Sequence, residues 1–290
     1  MDDPTPPVAA SPAYPGLDAL LPEAIAVKAE ELGVKKARRD PAGLLALAVL
    51  AGAFIALGGL FATVATTGGE ALPYGVARVL GGAVFSLGLI LVLVGGAQLF
   101  TGDVLMVMAW AGGRLGLGEM ARVWATVWVG NLVGALGTAV LVFLSGQYMF
   151  GAGAVGAQAL HLAAAKASLP AGQAFFLGIL CNVLVCLAVW LSLGARSVTD
   201  KVLAVVFPVA AFVAAGFEHC VANMYFVPLG LLIEWGAPPA FWADLGGLPP
   251  PIPVGGYLVN LAAVTAGNFV GGALLVGAMY WFIYLRPRGG

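Results

Sequence analysis

"GFEHCVANM", Gly216 to Met224, sets a glutamate beside a histidine in the middle of an apolar run. Between Lys201 and Glu234 the only charged residue is Glu218. A run of that length is read as a membrane crossing, because a helix needs about 20 mostly apolar residues to span hydrocarbon. An ionised carboxylate at mid-bilayer costs roughly 2.5 to 3.5 kcal/mol even on the lenient insertion scale. Glu218 is therefore expected to accept capping hydrogen bonds where the crossing breaks, which makes it a structural residue. His219 can change charge near neutral pH. It reads either as a satisfied core histidine or, at such a break, as a gate or proton relay.

The remainder of the chain supports a bilayer setting. Of its 290 residues 61% are hydrophobic and 9% charged, with a mean hydropathy of +0.99. These values describe an all-α integral membrane protein. The formal net charge of −1 leaves no basic excess to attract nucleic acid. Charge-free intervals locate six crossings: 41–69, 78–113, 122–149, 166–196, 201–234 and 257–285. If six crossings hold, both termini share one side, and 11 of the 13 Lys and Arg residues fall on it. Only Arg78 and Lys166 fall opposite. That bias predicts cytoplasmic termini, with connections 147–170 and 235–256 facing outward.

Residues 1–40 form an arm. Its opening "MDDPTPPVAASPAYPG" has two acids and five prolines and lacks the cationic start of a secretory signal, so it is expected to be retained and mobile. "LLPEAIAVKAEELGVKKARRD" follows, with Leu21, Ile25, Leu32 and Val34 leading to a cationic end. It reads as an amphipathic helix along the headgroups or as a loosely ordered arm. The six-crossing domain spans 41–285 and a short tail 286–290. Cys181, Cys186 and Cys220 all lie in apolar segments and read as packing residues, with Cys220 the candidate for a thiol-sensitive position.

Two crossings are too long and too interrupted to be rods. The second, from Tyr74 to Gly113, clusters Gly95, Gly96 and Gly102 near its middle, and the fifth carries "AAGFEHCVANM" halfway. Breaking a helix in hydrocarbon exposes backbone groups that survive only around a cavity. "GNLVGAL" (130–136) in the third crossing and "GNFVGGAL" (267–274) in the sixth recur at matched depths but run in opposite directions. The halves, about 41–146 and 171–285, are accordingly read as an inverted 3+3 repeat.

"GFEHCVANM", "LFTGDVL" (99–105), "GILCNVLVCLAVWLS" (178–192) and the paired "GN" crossings resemble the formate/nitrite transporter family, and most closely its formate channels. The likeness reads continuously from about Leu17 to Leu285. It implies a homopentamer in the cytoplasmic (inner) membrane, each protomer having an aquaporin-like fold and its own pore for formate, nitrite, lactate or hydrosulfide. It places Thr101 and His219 at the central site, Asn182 beside them and Lys166 in the outer vestibule. Phe85 and Phe212 would form the outer constriction, and Leu89, Phe100 and Val185 the inner one. Glu218, Asn223 and Asp103 would be structural polar groups. No metal or cofactor is implied.

The chain departs from the formate channels at Gln98, where an acid is usual, and at Gly102–Asp103, where serine and threonine are usual. Asp103 either faces the pore and repels anions or caps the second half of the broken helix. On these residues the expected function is a passive or proton-coupled formate channel. Lys166 would gather the anion, Thr101, Asn182 and His219 would donate to it, and His219 would relay a proton. The alternatives are a nitrite or hydrosulfide channel of the same family and a neutral-solute facilitator. A membrane enzyme is not supported: only two histidines are present, His161 and His219, and no nucleotide loop or nucleophile–base pair accompanies them.

Overall fold

The apolar runs fold into helices whose ends are set by proline, glycine and asparagine. The computed structural model describes residues 18–245 and 251–287, and every regular element among them is helical. The arm before residue 18 and Arg288 lie outside the described residues. In chain order the elements are α1 (Pro22–Ala37), α2 (Pro41–Thr66), α3 (Tyr74–Gly95), α4 (Phe100–Ala111), α5 (Leu117–Leu144) and α6 (Ala154–Ala167). Then come α7 (Ala171–Gly194), α8 (Val198–Ala214), α9 (Cys220–Gly236), α10 (Pro239–Asp244) and α11 (Val254–Leu285).

Five helices, α2, α3, α5, α7 and α11, are long and apolar enough to cross a membrane. The remaining expected crossing, 201–234, is divided between α8 and α9, each of 17 residues. The second expected crossing is divided as well, with α3 ending at Gly95 and α4 beginning at Phe100. Both divisions follow a glycine in the left-handed region, Gly96 at φ +85° and Gly216 at φ +75°. An L-residue there costs roughly 1 to 2 kcal/mol. A Cβ on Gly96 would meet nothing within 4 Å. Gly96→Ala should therefore lower the unfolding free energy by about 1 to 2 kcal/mol, a pure backbone cost, measurable by denaturant titration in detergent. An unchanged midpoint would contradict the turn.

The two halves repeat one set of neighbours. α2 packs on α3 and α5, and α7 packs on α8 and α11. At both α2–α5 and α7–α11 the repeated "GN" segment brings backbones together, Gly134 against Val49 and Gly271 against Ile179. Two features went unforeseen. Connection 147–170 contains α6, which carries both His161 and Lys166. In α11, residues Val270–Ala278 widen into a π-helix just after Asn268.

α1 does form, with Asp40 behind it capping α2 through a 2.7 Å bond from the Gly43 N–H. Much of its apolar face packs inward on the protein. Ile25, Ala29 and Val34 are buried against α4, α7 and the end of α11. Polar ties hold it there: Lys28 Nζ donates to the Leu193 carbonyl at 2.8 Å, and Arg122 donates to the Ala37 carbonyl at 2.8 Å. Burial, together with Lys201 and Arg196 nearby, pushes the Lys28 ammonium below the usual lysine range.

Candidate functional site: a polar waist between two cavities

Each break exposes backbone groups, and in each an asparagine from the "GN" segment satisfies them. Asn131 Oδ1 accepts the Phe100 N–H at 2.9 Å, and its Nδ2 donates to the carbonyls of Ala48 (2.8 Å) and Gln98 (2.9 Å). Asn268 Oδ1 accepts the Cys220 N–H at 2.9 Å, and its Nδ2 donates to the carbonyls of Gly178 (2.8 Å) and Glu218 (2.9 Å). The backbone N–H of Gln98 reaches Leu47 in one half, and that of Glu218 reaches Leu177 in the other. Bond for bond, the second break copies the first. Glycine-rich helix packing was the visible sequence signal, and it hid the asparagines' role as caps.

The acids therefore do something other than cap. Glu218 accepts from Lys166 Nζ at 2.8 Å and from Asn223 Nδ2 at 2.7 Å, not from the backbone of the broken segment. Asp103 likewise caps neither half-helix. It is 1% exposed and pairs with Lys36 Nζ at 2.5 Å. With its amide nitrogen turned toward Asp103, Gln98 donates to both carboxylate oxygens at 3.1 and 3.2 Å. Each break thus holds one carboxylate and one amide five positions apart, plus a lysine from a helix earlier in the chain, Lys36 on α1 and Lys166 on α6. Acid and amide trade places: Gln98 and Asp103 in one break, Glu218 and Asn223 in the other. The acid missing at position 98 is restored at 103, and its charge is met by Lys36 rather than turned on a passing anion.

The breaks meet at His219 and Thr101. His219 Nδ1 accepts the Ala222 N–H at 3.2 Å, so the ring is the side-chain cap of α9. A nitrogen that accepts carries no proton, so the neutral ring bears its hydrogen on Nε2, which lies 3.0 Å from Thr101 Oγ1. Asn182 is not free to donate elsewhere. Its Nδ2 serves the carbonyls of Thr101 (3.1 Å) and Asn268 (2.6 Å), and so ties one break to the cap of the other. Cys186 Sγ adds a contact to the Thr101 carbonyl at 3.3 Å. The three cysteines are buried and unpaired.

Two cavities approach this waist. The larger, about 1030 Å³, is bordered by Lys166, His161, Phe85, Phe212, Glu218 and His219. The smaller, about 300 Å³, lies beneath α1 and is bordered by Lys28, Lys36, Gln98, Val92, Val189 and Lys201. Along α3, Phe85 borders the larger cavity and Val92 the smaller, with Leu89 between them over roughly 10 Å of helix. Leu89, Phe100 and Val185 are buried and border neither cavity. Phe85 meets Phe212 edge-on at 5.9 Å, and Phe212 stacks on His219 at 6.0 Å. Phe226, absent from the sequence reading, completes the group, 6.5 Å from Phe85 and 5.5 Å from Lys166 Nζ.

The family model described as formate/nitrite transporter matches residues 23–282. The formate channel FocA of Escherichia coli (strain K12) is 48% identical over 93% of this chain and 96% of its own length. The nitrite transporter NirC of Salmonella typhimurium is 34% identical over 86% of this chain and 85% of its own. Among solved structures, a pentameric formate channel with formate bound superposes with a TM-score of 0.81 at 44% identity, covering 85% of this chain and 98% of that one.

Proposed function

The chain belongs to the formate/nitrite transporter family, and we propose that it is a homopentameric channel passing formate and related small monovalent anions across the cytoplasmic membrane. The names of its relatives and the pentameric formate channel it resembles support transport, this substrate class and this assembly. The lysine and arginine bias supports both termini on the cytoplasmic side, with the larger cavity opening outward.

One observation carries the reading. The 3.0 Å contact of Thr101 with His219 lies between two cavities, flanked by buried apolar side chains on either side. An anion entering the larger cavity sheds water at Phe85, Phe212 and Phe226, a toll that strongly hydrated ions bear least well. At the waist the N-termini of α4 and α9 add partial positive charge. The Thr101 hydroxyl, accepting from His219, turns its own hydrogen to the anion. Asn182 contributes by holding Thr101 in place rather than by touching the anion. Lys166 acts as half of an ion pair, so its pull is softened by Glu218.

Proton coupling runs through His219. A proton added at Nδ1 displaces the Ala222 N–H, so the charged ring loses its cap and is readied to give a proton to the anion through Nε2. The weak acid then crosses the apolar ring uncharged. The relative that transports nitrite supports nitrite as a second cargo.

The reading is tested by initial flux of formate, nitrite, lactate, hydrosulfide and chloride into proteoliposomes at two pH values. Formate and nitrite should pass, chloride should lag by at least tenfold, and acid should raise formate uptake. Chloride flux equal to formate flux would overturn the apolar filter. Conductance of water or ammonia that ignores the anion present would point to a neutral-solute facilitator.

A further inference from the structure

The larger cavity is formally neutral when its imidazoles are neutral, and this gives His161 a role that the central site does not include. Four charged groups border it: Arg78 and Lys166 against Glu70 and Glu218. Lys166 is paired with Glu218 at 2.8 Å. Arg78 donates to the carbonyls of Val213 (2.6 Å) and Ala214 (3.2 Å) at the end of α8 and stands 6.0 Å from the Tyr74 ring. Lys166 is paired charge to charge, while Arg78 keeps its charge with Nε and Nη2 taken by backbone carbonyls. His161 borders the same cavity from α6 and is exposed there. Gln158, His161, Ala165 and Lys166 recur along one face of that helix, all bordering the cavity. Lys166 lies five positions after His161, about 7.5 Å of helix rise, which is within a Debye length at physiological salt.

Histidine is the side chain whose charge ordinarily changes between about pH 5 and 8. The groups facing His161 across the cavity are Glu70 from the turn after α2, Tyr74 and Arg78 from α3, and Glu218 and His219 from the second break. The segments packed on α6 add Tyr148, Cys220, Tyr225, Glu234 and Tyr257, none of which borders the cavity, and Glu234 is engaged by the Ile252 N–H at 2.9 Å. With two cations set against two carboxylates, gain of a proton at His161 takes the mouth from neutral to one net positive charge.

We infer that His161 is an anion-gathering residue at the mouth of the larger cavity, raising the local concentration of small anions ahead of the Lys166–Glu218 pair when its ring is charged. The inference rests on the anion-channel reading above. It separates capture, which is electrostatic and at the mouth, from proton transfer, which is chemical and at the waist.

The test compares the parent protein with His161→Lys, a fixed charge, and His161→Gln, a neutral amide, in proteoliposomes with formate well below saturation. Initial uptake is measured at pH 5.5 and pH 8, at roughly 10 mM and 500 mM of an impermeant salt, between which the screening length falls several-fold. At pH 8 and low salt the Lys variant should exceed the parent by about tenfold, the lower end of what focused charge supplies. At pH 5.5 the Gln variant should fall below the parent by a similar factor. Both differences should vanish at high salt and fade as formate saturates, which a merely structural role would not produce. Identical uptake by all three proteins in every condition overturns the role of His161 while leaving the channel intact. Failure of the parent itself to pass formate overturns the channel reading and this inference with it.

Discussion

Asn268→Leu is expected to leave no assembled protein in the membrane. The side chain satisfies three buried backbone groups, the Cys220 N–H and the carbonyls of Gly178 and Glu218. Leucine has nearly the same shape and can satisfy none. An orphaned buried group costs about 1 to 3 kcal/mol, so the loss is on the order of 3 to 9 kcal/mol against a total stability of about 5 to 15 kcal/mol. Asn131→Leu should behave alike, because its three partners match one for one. Asn268→Asp keeps the acceptor for Cys220 but loses both donors and turns a carboxylate oxygen on the two carbonyls, so it should be recovered no better than the leucine variant. The measurement is oligomer recovered by size exclusion, together with its thermal midpoint. An Asn268→Leu protein that assembles and melts like the parent would mean the break is held by something else.

His219→Phe should abolish acid-driven formate uptake, and His219→Asn should show why. The ring has two roles, capping Ala222 through Nδ1 and meeting Thr101 through Nε2. Phenylalanine removes both. Asparagine can still cap, being among the best residues at that position, but it cannot carry a proton. If proton delivery spares the anion a desolvation cost of roughly 2.5 to 3.5 kcal/mol, both variants should lose acid-driven uptake by on the order of 100-fold. His219→Asn should retain the parent's thermal midpoint, while His219→Phe should lower it, because losing the cap costs about 1 kcal/mol of stability. A His219→Asn channel with the parent's full pH response would remove the relay and leave the imidazole a cap alone.

The fold was legible because bilayer and backbone impose strong local constraints. Runs of about 20 apolar residues between charges mark crossings, and glycine clusters within two of them mark where helices stop. The breaks after Gly95 and Gly216 lie where the residues pointed. Placing Thr101 beside His219 rested on the resemblance to the formate/nitrite transporter family, and the two side chains lie 3.0 Å apart. The roles of the carboxylates were not legible. Glu218 and Asp103 each sit at a break, which made capping the natural reading, yet both accept from lysines that come from other helices, Lys166 on α6 and Lys36 on α1. No spacing in the chain announces those partners, because 52 and 67 residues separate them.

What sequence alone decides here is where the chain must cross and where it must break, because hydrocarbon leaves a polar backbone group no partner beyond its own neighbours. Which side chain then satisfies each freed group is settled only in three dimensions. Asn131 and Asn268 reach across from other helices, Asn182 joins the two breaks, and Lys36 and Lys166 arrive from helices outside the apolar runs. A hydrogen bond depends on separation in space to within a few tenths of an ångström, and separation along the chain carries none of that information.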